Sequence, residues 1–293
     1  VGRHLAARLT GEGHNVLALS RRSGVDVEDE AGLARSFAGC DAVAHCAGIN
    51  RELGGQTYAR VHLDGTRAVV AAARRAGVQR IVMLSFLRAR PACHSPYHES
   101  KWAAEEIVRL SGIDYTILKS GMIYGRGDHM LDHLSHSLYT FPLFLGVGLH
   151  EQPIRPVAVD DVVSILRASL IDGRLTNDTV AVLGPDTLTL SAAVRRVAGV
   201  LRRRVIVMPA PLFVHRLLAV IFEATMRVPL VAQAQVQILS EGVEPAPFAS
   251  PLPDDLKPLT HFDDAAIARG LPERGAFTFR DLRCSRGQGS VPA

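Results

Sequence analysis

Tyr97 and Lys101 lie four residues apart in the run Ser95-Pro96-Tyr97-His98-Glu99-Ser100-Lys101. On a helix, positions i and i+4 share one face, so the phenol and the ammonium can act on one substrate. A phenol with a pKa near about 10 is a poor acid or base at neutral pH. A neighbouring ammonium favours the phenolate and brings that value toward the working range. Ser85 ends the apolar run before this segment, and its hydroxyl can hydrogen-bond the same oxygen. The three together suit proton transfer at a carbonyl or carbinol oxygen. Tyr-x-x-x-Lys alone is common by chance and also describes an ordinary exposed helix face. A strand, Ser85, a loop, and a Ser95-Pro96 helix start with Tyr97 in the first turn form a much rarer arrangement.

Other polar clusters compete less well. Asp128, His129, Asp132, His133 and His136 invite a metal reading, since the first two histidines are i,i+4. The metalloprotease signature needs a Glu after the first His, where Met130 stands, so a polar helix face is the plainer account and no metal is expected. Cys46 is taken as a small packing residue rather than a nucleophile, and Trp102 as core.

The elements that must carry Tyr97 and Lys101 alternate along the first half. Residues 1–9 read as a helix, 15–20 as a strand, 29–37 as a helix and 41–47 as a short apolar strand. A long helix over 57–76 ends at Gly77. Residues 80–85 form a strand, 97–110 a helix and 115–118 another strand. This pattern predicts an α/β fold, a doubly wound parallel sheet covered by helices on both faces. After about Gly125 the regularity weakens; a strand over 179–183, further helices and a Pro-rich tail from Pro245 follow. Residues 1–125 are therefore read as the sheet domain, and 126–293 as an interleaved substrate lobe with later sheet strands and a tail. A doubly wound sheet needs a strand and a Gly-rich turn before its first helix. The sequence starts directly in that helix, so a longer parent protein is expected.

Composition narrows the class. The 293 residues are 47% hydrophobic and 21% charged, which is globular. A net charge of +4 with dispersed arginines does not form a nucleic-acid footprint. Cys40, Cys46, Cys93 and Cys284 show no CxxC pair and no framework spacing; with no signal peptide in view, a reducing cytoplasm is expected. The most apolar stretch, 211–231, is interrupted by His215, Arg216, Glu223, Arg227 and Pro229. A buried or amphipathic helix is expected there rather than a membrane span. Peripheral contact with a membrane surface stays open.

The run from Ser95 to Glu106, followed by Asp114-Tyr115-Thr116-Ile117-Leu118 and Gly121-Met122-Ile123-Tyr124-Gly125, resembles the extended and atypical short-chain dehydrogenase/reductases. It is especially similar to the NAD(P)H-binding group that includes the nucleotide-binding accessory subunit of respiratory complex I and the NmrA-like proteins. The segment from Arg155 to Val162 and the turn Gly184-Pro185-Asp186 extend the likeness over nearly the whole chain. The resemblance implies a Rossmann-type domain, with Gly2 packed beneath the pyrophosphate turn. Ser20, Arg21 and Arg22 stand where an acidic residue would bind the NAD ribose; two arginines there favour the 2′-phosphate of NADP(H) over NAD(H). Asp26 and Val27 would lie beside adenine, and Cys46, Ala47 and Gly48 would pass the cofactor. Tyr97 would be the acid/base, Lys101 its partner and a ribose ligand, and Ser85 the helper. Ser120, Gly121, Met122 and Ile123 would flank the nicotinamide. His45-Cys46-Ala47-Gly48 and Ser120 depart from the family's usual Asn-Ala-Ala-Gly and Pro.

The implied activity is that of an NADP(H)-dependent oxidoreductase or epimerase-like enzyme acting on a small molecule. The rival expectation is a non-catalytic NADP(H)-binding protein with a structural or redox-sensing nucleotide. A membrane-associated quinone or lipid enzyme is a third.

Overall fold

A computed structural model describes residues 1–226, 231–242 and 248–272, with the side chain of His129 outside the description. The chain divides into two compact units. The first is made of Val1–Gly121, Val157–Pro185 and Glu244–Thr260; the second of Met122–Pro156, Asp186–Val243 and His261–Ala293.

The first unit is built on β1 (Ala42–His45), β2 (Arg80–Phe86), β3 (Asp114–Ser120), β8 (Asp178–Val182) and β11 (Ser250–Pro251), side by side in that order. Every adjacent pair is parallel. Its helices are α1 (Gly2–Gly11), α2 (Glu30–Phe37), α3 (Gly65–Ala76), α4 (Pro96–Arg109) and α6 (Val159–Ile171), the last entered from β7 (Val157–Ala158). Ile81, Val82 and Met83, consecutive in β2, are all buried. Because alternate residues of a strand face opposite sides, three buried in a row require cover on both faces. Ile81, Met83 and Ile117 pack with Leu33, Phe37, Val69, Ala73, Ala104 and Val108 of α2, α3 and α4. Among these, alanines let the helices approach closely. Helix α6 packs against β1, β2 and β3, and α1 is tied to α6 by Arg8 Nη1 donating to Ser164 Oγ (3.2 Å) and by the Arg167–Glu12 ion pair (2.8 Å).

The local signals act as the sequence implies. Asp29 caps α2 by accepting from the Gly32 amide (2.9 Å), and Ser95 caps α4 with Pro96 in its first turn. Gly77 ends α3 at φ 73°, a left-handed conformation that favours glycine. One expectation is corrected. Residues 15–20 form no strand: among the described residues β1 is hydrogen-bonded to β2 alone, and isolated strand backbone has no partners to hold it. The helix expected over 57–76 runs unbroken over 58–76, its Ala59–Asp64 stretch wound as a wider π-helix leading into α3. Part of the Pro-rich tail contributes β11, the edge of the sheet.

The second unit carries β4 (Ile123–Tyr124), β5 (Leu143–Val147), β6 (Pro153–Ile154), β9 (Leu188–Thr189) and β10 (Ile206–Ala210). Its helices are α5 (His129–Thr140), α7 (Leu190–Val200), α8 (Leu212–Thr225), α9 (Gln233–Glu241) and α10 (Asp264–Gly270). Strands β5 and β10 pair in parallel, and β6 with β9 antiparallel. Among the described residues no helix is long and apolar enough to cross a membrane.

Helix α4 is fastened to the sheet through one carboxylate. Glu105, fully buried, accepts from Ser85 Oγ of β2 (2.5 Å), from Arg109 Nη2 (2.8 Å) and from Lys119 Nζ of β3 (3.3 Å). Lys119 also donates to the Ala89 carbonyl (2.6 Å), and Arg109 Nε to Thr179 Oγ1 of β8 (3.3 Å). Removing one partner of a buried ion pair leaves charge uncompensated and costs about 3–5 kcal/mol. Glu105→Ala is therefore expected to lower unfolding stability by roughly that much in urea titration. A loss under about 1 kcal/mol would show that the network does not hold α4 in place.

Candidate active site

The Ser95 cap and Pro96 start α4 so that Tyr97, Lys101 and Glu105 fall at i, i+4 and i+8 on one face. Lys101 is buried, and its Nζ donates to the Leu84 carbonyl of β2 (3.1 Å). Burial pulls its pKa down to about 8, against the opposing pull of Glu105 and Cys46. Tyr97 stands in a cluster of rings: Phe86 (5.5 Å), His98 (5.5 Å), Tyr58 (5.7 Å) and His62 (5.9 Å). Withdrawal from water raises the phenol well above its ordinary value, and Tyr58 adds to the rise. The expectation that Lys101 brings the phenol down is not met here: burial and Tyr58 act on Tyr97, and both raise it.

The loop after β1 completes one side. A Cβ at Gly48 would lie 3.6 Å from both Lys101 Nζ and His62 Nε2, and one at Gly2 would lie 3.5 Å from the Cys46 Cβ. The N-terminal end of α1, the Cys46–Gly48 loop, Lys101 and His62 are therefore neighbours. The first turn of α1 contains no acidic side chain. Amides at such a helix start and the adjoining ammonium suit an anion. Cys46 is pushed up to about 11 by burial, so it is a packing thiol and not a thiolate.

His62, which the sequence reading passed over, sits on the π-helical turn. The Ile49 amide donates to its Nε2 (3.1 Å), so its proton resides on Nδ1. Nδ1 then donates to Ser100 Oγ (2.9 Å), which donates to the Tyr97 carbonyl (2.9 Å). Burial and Lys101 keep this ring neutral, with a pKa near about 3. His45, on β1, bonds Thr66 Oγ1 (3.0 Å) and is held at about 4 for the same two reasons. Two repeated spacings could have flagged the missed residues: Tyr58–His62, and the Glu105 that extends Tyr97–Lys101 by another four.

The other expected site residues are distributed as follows. The Ser85 hydroxyl is turned to Glu105 rather than to the rings around Tyr97. Ser20 caps a short 3-10 turn, Arg21–Ser23, through a reciprocal pair with Ser23, which leaves Arg21 and Arg22 on the surface. Asp26 Oδ1 accepts the Glu28 amide (3.2 Å), and Val27 packs so closely on Gly65 that a Cβ there would meet its Cγ1 at 2.8 Å. Ser120, at the end of β3, is buried with a hydroxyl that carries no hydrogen bond among the described residues. The Gly121 amide donates to the Val182 carbonyl (3.2 Å), while Met122 and Ile123 open the second unit. Among the described residues no group of three or more His, Cys, Asp or Glu could hold a metal ion.

A parallel sheet under helices on both faces, with this loop and helix end beside Lys101, defines a Rossmann-type α/β protein, and residues 1–133 match the NAD(P)H-binding family model. Among curated proteins, the ceramide reductase of Caulobacter vibrioides is 34% identical over 44% of this chain and 44% of its own length. The mouse mitochondrial NADH dehydrogenase [ubiquinone] 1 alpha subcomplex subunit 9 is 27% identical over 67% of this chain and 52% of its own. In fold, the NADPH-dependent quinone oxidoreductase of Escherichia coli superposes with a TM-score of 0.62 at 17% identity, covering 83% of this chain and 81% of that one. The chain spans between 23% and 52% of the length of the curated relatives it matches.

The neutral histidines make the site acid-sensitive. In the unfolded chain both take a proton near 6.5, whereas the fold resists it until about 4 for His45 and about 3 for His62. The unfolded state binds more protons in that window, so stability rises with pH across it and falls on acidification below about 6.5. For His45 the loss is on the order of 3 kcal/mol. Urea midpoints followed from neutral pH downward should drop for the parent and flatten for His45→Asn; identical profiles would refute the assignment.

Proposed function

We propose that the protein is an NADP(H)-dependent oxidoreductase or epimerase-like enzyme acting on a carbonyl or carbinol carbon. The observation that carries this reading is the pairing of Tyr97 with Lys101 on one face of α4, beside the Cys46–Gly48 loop and the start of α1. NADP(H) supplies hydride at its nicotinamide ring. The residues fit such a group: α1 amides and Gly2 for the pyrophosphate, Lys101 for a ribose, and the partnerless hydroxyl of Ser120 beside the end of β3. Arg21 and Arg22, exposed on a turn fixed by Ser20 and Ser23, supply guanidinium for a 2′-phosphate.

With NADP(H) bound, Tyr97 Oη would give a proton to the substrate oxygen and take it back in the reverse direction. Lys101, cationic below about 8, stabilises the phenolate this leaves. His62 and Ser100 hold the first turn of α4, and so Tyr97, in register with the loop at Ile49. Ser85 acts on Tyr97's side of the site through Glu105 of α4 and through Leu84, its neighbour on β2.

A second reading, a nucleotide-binding protein without turnover, has its own support. The Lys101 ammonium and the Ser85 hydroxyl already have partners in Leu84 and Glu105, and burial holds the Tyr97 phenol up. A relative is named as a subunit of NADH dehydrogenase.

Two measurements separate the readings. NADPH consumption against a panel of aldehydes, ketones and quinones is expected to show turnover that Tyr97→Phe lowers by roughly 10²–10⁴-fold while NADPH affinity is kept. Tight NADPH binding with turnover that is indifferent to Tyr97 would reject the enzymatic role. In fluorescence titration, Arg21→Ala with Arg22→Ala should weaken NADPH by about tenfold or more and leave NADH unchanged. Equal effects on both nucleotides would remove the 2′-phosphate assignment.

A further inference from the structure

Trp102 follows Lys101 on α4 and is the only tryptophan of the chain. It is half-buried, and its indole carries two cations of the network that fastens the helix to the sheet. The Arg109 guanidinium lies 4.9 Å from the ring centroid and Lys119 Nζ 5.3 Å. A cation over an indole face is stabilised most where water is kept away. Both cations also pair with the buried Glu105 carboxylate, so the indole shields the charged end of that network.

Phe248 meets the same indole, with ring centroids 5.0 Å apart and planes tilted by 44°. Phe248 is itself 65% exposed, and its φ of 78° is a left-handed conformation that a residue other than glycine adopts at a cost. A ring left mostly in water gains little from burial, so the contact with Trp102 is what offsets the strained backbone. The residues that follow are secured differently. Ser250 and Pro251 pair with Val180 and Ala181 at the sheet edge, and Leu252 is buried. Asp255 pairs with Arg174 (2.8 Å), and Asp161 accepts from the amide and the hydroxyl of Thr260 (2.9 Å each). Residues 250–260 are thus an anchored strap, and Phe248 at its tip rests a strained residue on α4. Strain of this kind gathers in switch segments, where the surrounding contacts hold it in place.

We propose that Phe248 is a latch: seated on Trp102 it seals the Glu105–Lys119–Arg109 network and clamps α4, and released it lets water onto that network and loosens the helix. Release also relaxes the Phe248 backbone, which keeps the two states close in energy. Water raises the local dielectric and weakens the ion pairs and the cation contacts together. Because α4 also bears Tyr97 and Lys101, the latch governs how firmly the candidate site is held, whatever chemistry that site performs.

The single tryptophan makes the latch observable in the full chain. In the parent, Trp102 emission should shift to the red at a lower urea concentration than the one at which circular dichroism loses its helical signal, as a locally opening segment does. Phe248→Ala is expected to raise acrylamide quenching of Trp102 roughly twofold and amide hydrogen exchange of α4 about tenfold, with α2 unchanged. Phe248→Tyr, which keeps a ring, should match the parent in both. Coincident urea transitions in the parent would overturn the proposal. So would quenching or α4 exchange that is indifferent to Phe248→Ala, or an equal rise of exchange in α2. If Phe248→Ala fails to fold, the two urea transitions of the parent decide between a latch and a fixed contact.

Discussion

The Glu105 carboxylate is the constraint on which the candidate site depends. It is buried in α4, and its partners come from β2, from β3 and from its own helix. An unpaired carboxylate there would be far too costly, so the helix can settle only where Ser85, Lys119 and Arg109 reach it together. That requirement sets the height and rotation of α4 on the sheet. Lys101 lies one turn before Glu105 and Tyr97 two turns before it. Fixing Glu105 therefore brings Lys101 to the Leu84 carbonyl and Tyr97 to the rings beyond the end of β2. Hydrophobic packing alone would tolerate a helix that slides or rolls; a buried, multiply bonded charge does not.

The electrostatics of the site follow from a cation enclosed with neutral groups. Lys101 is close enough to His45, His62 and Cys46 to influence each of them. Because burial and the ammonium both oppose a second positive charge, the two imidazoles stay neutral and are used as hydrogen-bonding struts. The start of α1 adds its own partial positive charge nearby. The balance is a water-poor, positively biased corner, where an anionic group is favoured. The same environment raises the cost of ionising the Tyr97 phenol.

The second unit is organised by different means. Among its described residues the strands are short, and β5–β10 and β6–β9 are two-stranded ladders rather than the continuous sheet that lets the first unit bury consecutive residues of β2. With less sheet to pack on, apolar surface remains outside, most clearly on α8.

Local patterns in the sequence determined a good deal. The apolar runs at Ile81–Met83 and Ile117–Leu118, the Ser95-Pro96 start of α4 and the stop at Gly77 all depend on neighbours a few residues away. A parallel α/β sheet and a helix presenting Tyr97 with Lys101 were therefore legible without coordinates. The expected strand at 15–20 failed for the opposite reason: a strand exists only through a partner, and apolar alternation cannot say whether one is present. Tertiary structure alone decided that Ser85 bonds Glu105, 20 residues away, and that His62 braces Ser100, 38 residues away. It also decided that burial, not Lys101, sets the Tyr97 phenol. Spacing along a helix is a property of the chain, whereas desolvation and hydrogen-bond partnership arise only when distant segments close around the same few atoms.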